Sequence, residues 1–121
     1  MRSGKVGILE RTKLFALRII RLYSSLPKTT EAQVIGKQLL RAGTSTGAHV
    51  HEGNRSRSDA EMVSKTEGAL QELQETIYWL ELLGDAEIVK AERLVDLLKE
   101  ADELTAILVT SVKTLKARRD K

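Results

Sequence analysis

The sequence predicts an all-α domain, an antiparallel up-down-up-down four-helix bundle, from three observations. Apolar residues recur at three- and four-residue spacing in four separate segments, no run alternates apolar with polar, and a single proline, Pro27, interrupts the chain. At 121 residues the chain fits one domain, and a domain of that size buries roughly 65% of its unfolded surface, enough for one core and no second.

The first helix follows from Phe15, Ile19, Leu22 and Leu26 on one stripe, with Arg11, Arg18, Arg21 and Ser25 on the other side. Residues 1–10 are expected to be a flexible arm, the bundle to occupy 11–117, and 118–121 to form a basic tail. Leu26-Pro27 ends the first helix, because the residue before proline is pushed out of the α region. Thr30 is the expected N-cap of the second helix, with Glu31 near the positive end of the dipole. Gly36, Leu40, Gly43 and Gly47 then share a stripe. Each interior glycine costs about 1 kcal/mol of helix propensity relative to alanine, so three of them imply close backbone approach to a neighbour or a local break. The small residues Ala42, Thr44, Ser45, Thr46 and Ala48 favour close approach.

Glu52-Gly53-Asn54 reads as a helix end, with glycine free to turn left-handed. Ser58 and Glu61 have capping-box spacing and start the third helix. Its expected seam is Thr66, Leu70, Leu73, Ile77 and Leu80, closing at Leu83-Gly84-Asp85. The fourth helix carries Leu94, Leu97, Ala101, Leu104, Leu108 and Leu115 on one face, followed by the basic stretch Lys116 to Lys121.

The segment around the second helix junction carries a resemblance. Leu39 through Ser58, containing Arg41-Ala42-Gly43-Thr44-Ser45-Thr46-Gly47 and Glu52-Gly53-Asn54-Arg55-Ser56-Arg57, followed by Ala69-Leu70-Gln71-Glu72-Leu73-Gln74-Glu75-Thr76, resembles the bacterial four-helix-bundle proteins encoded in intervening sequences of 23S ribosomal RNA genes, the S23 family. The likeness runs from about Phe15 to Lys116. It implies an antiparallel bundle, assembly into homo-oligomeric rings, notably pentamers, and no established enzymatic activity. A structurally analogous group, the accessory proteins of diversity-generating retroelements, forms basic pentameric barrels that bind nucleic acid and a reverse transcriptase. This chain has His49 where the S23 family commonly has asparagine, and Met62 where an aromatic residue is common.

Charge is segregated beneath a net +3: residues 1–57 hold 11 Lys/Arg against 3 Asp/Glu, residues 58–104 hold 4 against 13, and residues 105–121 hold 5 against 1. Such segments can pair within a subunit, pair between subunits, or leave a basic surface for phosphate. Arg11, Arg18 and Arg21 of the first helix, Arg55 and Arg57 at the junction, and Arg118 and Arg119 of the tail are the candidate nucleic-acid contacts, against the alternative of solvated faces. Aromatics are 3% of residues, so RNA would be held by backbone contacts with strong salt dependence and little base stacking. Arg41, Glu52, Arg57, Glu67 and Glu72 form a candidate structural charge network in which the two arginines pair with Glu52, Glu67 or Glu72. Tyr78 and Trp79 lie off the third-helix seam and are candidate subunit contacts, with a core tryptophan as the alternative.

Other chemistries fit poorly. There is no cysteine, which excludes thiolate zinc and disulfides and suits a reducing, cytoplasmic setting. His49 and Glu52 share a helix face, but His51 points elsewhere, and two histidines cannot build a di-iron bundle site. Arg41 and His49 miss the spacing of a helical ribonuclease motif. Ser45, His49 and Asp59 lack a nucleophile elbow. No apolar run reaches the roughly 20 residues of a membrane span, and Met1–Glu10 lacks a signal-peptide apolar stretch. The expected function is therefore a non-catalytic oligomeric bundle without cofactor or small-molecule substrate, binding RNA through basic faces. A structural or adaptor oligomer with a protein partner is the alternative.

Overall fold

A computed structural model describes residues 7–120, and it is the four-helix bundle that the apolar spacing predicts. The helices are α1 (Ile8–Ser24), α2 (Thr30–Asn54), α3 (Asp59–Asp85) and α4 (Val95–Arg119), with a 3₁₀ turn at Ala91–Arg93 before the last. Neighbours in chain order pack against one another and α4 closes back on α1, the lightest of the four seams. Every junction is antiparallel. The end of α1 meets the start of α4 through Arg93 and Ser25 (3.0 Å), and the end of α4 meets the start of α3 through Arg118 and Asp59.

The helix starts obey capping chemistry. The α2 cap is Thr29, one residue before the expected Thr30, and its hydroxyl accepts from the Ala32 N–H at 3.3 Å. Either threonine has the right chemistry; Thr29 has the extended backbone a cap needs. Ser58 caps α3 as expected, accepting from Glu61 N–H at 3.1 Å. The arm and tail boundaries shift: α1 begins at Ile8, since Ile8 and Leu9 pack against the core, and α4 runs to Arg119. Residues 1–6 of the expected arm and Lys121 lie outside the described residues.

The stripe on α1 is buried throughout, as are all six expected positions of α4. The α3 seam differs. Val63, Thr66, Ala69, Leu73, Thr76, Leu80 and Leu83 face inward, while Leu70 and Ile77 sit at its margin. Small residues occupy the centre because α2 comes close. Four threonines are buried, Thr12, Thr46, Thr66 and Thr76, and each hydroxyl donates to the carbonyl four residues back at 2.7–3.0 Å. That removes the penalty of a buried unpaired hydroxyl.

The glycines of α2 do not break it. A methyl group at Gly36 would fall 2.6 Å from Leu26 Cδ1, and at Gly43 2.9 Å from two Ile19 carbons. The helix therefore uses these positions for close approach to α1. Gly53 is likewise helical, one residue inside the α2 terminus, and lies over Lys65 and Thr66 of α3. Among the described residues the left-handed non-glycine position is elsewhere. Past α3, Glu87 has φ 59°, its N–H bonds Gly84 O, and Ile88 N–H bonds Leu83 O, the hydrogen-bond pair of a Schellman ending whose turning position favours glycine. Glu87→Gly is expected to raise stability by about 0.5–1 kcal/mol, read as a higher urea midpoint at unchanged slope.

Candidate nucleic-acid interface

The basic side chains predicted to meet phosphate divide into those that the fold neutralises and those that it leaves open. Arg11 projects from α1 onto α4, where its guanidinium donates to Glu100 at 2.7 and 3.1 Å and to Glu103 at 2.9 Å. Hydrogen bonds to these two carboxylates push its pKa up. At the far end of α4, Arg118 makes a two-pronged pair with Asp59 at 2.7 and 2.8 Å. The pair holds the Asp59 carboxyl below its ordinary range and Arg118 above its own. Lys116 pairs with Glu67 at 3.0 Å. The basic tail is thus tied down onto the acidic start of α3.

Arg18, Arg21, Arg55 and Arg57 have no carboxylate within 4.0 Å among the described residues, and Arg119 has only the exposed Asp120 at 3.7 Å. Arg55 and Arg57 stand exposed in the α2–α3 connection, at the same end of the bundle as Lys116, Arg118 and Arg119. The seven candidate arginines therefore fall in two places. One group caps the junction end of the bundle. The other, Arg11, Arg18 and Arg21, lies along the α1–α4 seam. Although α1 and α4 are neighbours, the last turns of α4 reach Asp59 and Glu67 of α3 instead of joining the basic face of α1.

The expected charge network forms in part. Arg41 of α2 binds Glu72 at 3.1 Å and Glu75 at 2.6 Å on α3. Hydrogen bonding to Glu72, reinforced by its charge and by Glu75, raises the Arg41 pKa. Glu52 pairs with Lys65 at 3.2 Å and Glu67 with Lys116, so neither takes an arginine, and Arg57 stays outside the network. Glu75, Glu100 and Glu103 are partners that the sequence reading missed. The i, i+3 spacing of Glu100 and Glu103, set against a basic α1, was the available signal.

His49 lies over Gly68, where an added methyl group would come within 3.1 Å of its Nδ1. Its ring nitrogens are 3.8 Å from Glu52 and 3.9 Å from Glu72. His51 points away and donates from Nε2 to the Leu9 carbonyl at 3.2 Å, joining α2 to the start of α1. Among the described residues no three His, Asp or Glu side chains converge to hold a metal. The Asp59 carboxylate is engaged by Arg118 and, among the described residues, accepts from no serine or histidine side chain. Among the described residues no helix is long and apolar enough to cross a membrane.

The aromatic pair splits. Tyr78 is 56% exposed, whereas Trp79 packs on the core margin with its indole Nε1 buried and without a hydrogen-bond partner among the described residues. The rings meet edge to face at 5.0 Å. Of the two, Tyr78 is the more exposed ring.

Taken together, the fold and its ionic clusters define a helical-bundle protein whose helices are cross-linked by paired charges, with unpaired arginines at one end and along one seam. The family model of the 23S rRNA-intervening sequence protein matches residues 5–110, and the chain belongs to that family. A crystal structure of a protein of unknown function from the S23 ribosomal protein family of Bacteroides thetaiotaomicron is similar, with TM-score 0.84 and 34% identity, over 88% of this chain and 99% of that one. No match is found among curated proteins.

Proposed function

We propose that this chain is a non-catalytic helical bundle that associates with copies of itself in a small ring and holds RNA by its phosphate backbone. The observation that carries the RNA reading is the junction end of the bundle. There Arg55 and Arg57 are exposed with no carboxylate within 4.0 Å among the described residues, beside the basic last turn of α4. Unpaired guanidinium groups at a helix junction suit phosphate oxygens, which position a nucleic acid without reading its sequence. The family's description links such proteins to 23S rRNA, which supports RNA as the ligand class. The chain's one Phe, one Trp and two Tyr leave little for base stacking.

Filter retention of a structured ribosomal RNA fragment across a salt series tests this. Retention is expected to fall steeply with salt, and Arg55→Gln with Arg57→Gln is expected to flatten the log–log slope by about 1.5–2, roughly one counterion per lost phosphate contact. Absence of retention even at about 50 mM salt, or a slope unchanged by the double substitution, overturns the assignment. The chain would then stand as a structural oligomer.

A further inference from the structure

The lightly packed α1–α4 seam opens into a groove of about 820 Å³ with Leu14, Phe15 and Ile107 on its apolar surface. Arg11 is neutralised on one wall by Glu100 and Glu103, while Arg18 and Arg21 line the groove unpaired among the described residues. Both also border an adjoining hollow with Arg93, whose guanidinium donates to Ser25. Beyond the groove, the outer face of α1 keeps Leu14, Leu17 and Ile20 at 43%, 37% and 41% exposed. A phosphate backbone gains nothing from an apolar floor. A helix presenting carboxylates around an aromatic ring matches both the floor and the arginines.

This chain carries such a helix. On α3, Tyr78, Glu81 and Asp85 follow one another at i, i+3 and i+7, all exposed, and neither acid has a cation within 4.0 Å among the described residues. We infer that the outer stripe of α3 of one copy seats in the α1–α4 groove of the next, Tyr78 against Leu14 and Ile107, Glu81 and Asp85 against Arg18, Arg21 and Arg93. The inference rests on the self-association proposed above and names its two surfaces. α1 and α3 each pack on α2 and α4 and so occupy opposite corners of the bundle. Donor and acceptor faces therefore differ, and the contact is heterologous. Each copy keeps one face of each kind open, so the contact repeats and closes into a ring or continues as a filament.

The test is light scattering coupled to size exclusion on the full chain. The wild type is expected to elute as a multimer. Arg18→Glu with Arg21→Glu, and separately Glu81→Arg with Asp85→Arg, should each weaken association roughly 100-fold or more, since each sets like charges against each other. The chain carrying all four substitutions should reassemble, and the two double variants, each monomeric alone, should associate when mixed. None of the four positions concerned is buried, and unchanged helical circular dichroism verifies folding. A wild-type monomer at every concentration removes the self-association reading and this one with it. A multimer indifferent to the double substitutions overturns the interface alone, as does failure of both the fourfold chain and the mixture to assemble. Unchanged mass with lost RNA retention in the Arg18/Arg21 variant would instead make the groove a phosphate site, and would equally overturn the inference.

Discussion

Phe15→Ala is expected to lower the unfolding free energy by about 3–5 kcal/mol, the largest effect of any single core truncation in this chain. Phe15 is the chain's only phenylalanine and is 1% exposed. It fills the space between α1 and the rest of the core and also borders the α1–α4 groove. Its loss leaves a void that the light α1–α4 seam cannot close from that side. A domain of this kind is stable by about 5–15 kcal/mol in total, so the variant should melt about 10–20 °C lower. Thermal denaturation followed by circular dichroism measures it; a drop of only a few degrees would mean that α1 contributes little to the core.

Gly43→Ala should be the counterintuitive case: a change that raises helix propensity yet destabilises the protein by about 1–2 kcal/mol. Alanine gains about 1 kcal/mol over glycine in a helix interior. At Gly43, however, the new methyl group would lie 2.9 Å from Cγ1 and Cγ2 of Ile19 and 3.2 Å from its Cβ. Ile19 is fully buried and branched at Cβ, so it cannot swing clear, and overpacking of this kind costs about 1–3 kcal/mol. The same substitution at Gly53 meets Lys65 Cβ at 3.3 Å and little else close by, and should be neutral within about 0.5 kcal/mol. Urea midpoints of the two variants give the comparison directly. Equal midpoints would show that the α1–α2 contact yields freely.

The stripes of α1 and α4 were legible because each is made of large aliphatic or aromatic residues at helical spacing, and every one of those positions is buried. The interior of α3 was harder to read. There Thr66, Ala69 and Thr76 lie inside while Leu70 and Ile77 lie at the edge, along the helix's most extensive pairing, with α2. Hydrophobicity alone ranks Leu70 above Thr76; distance to the facing backbone reverses the order. The candidate site shows the same limit. Arg11, Arg18 and Arg118 look alike in the sequence, yet the first and last are spent on Glu100 and Asp59, 89 and 59 residues away along the chain. Which arginine is matched depends on which helix faces it, and that is tertiary information. The family itself was legible in Arg41 to Arg57, because the small-residue run and the following Glu-Gly-Asn are dictated by the α1–α2 and α2–α3 packing just described.

The order of the helices also bears on how the chain reaches this state. Three of the four seams join segments adjacent in sequence, and only the weakest, α1 with α4, spans the length of the protein. Short reversals form quickly because little entropy is lost in closing them, and helical bundles of this kind fold within microseconds to milliseconds. The α2–α3 hairpin, the most extensive pairing, is the natural nucleus, and α4 meeting α1 is the last step. Opening runs the other way, so the amides of α1 and α4 should exchange with solvent before those of α2 and α3.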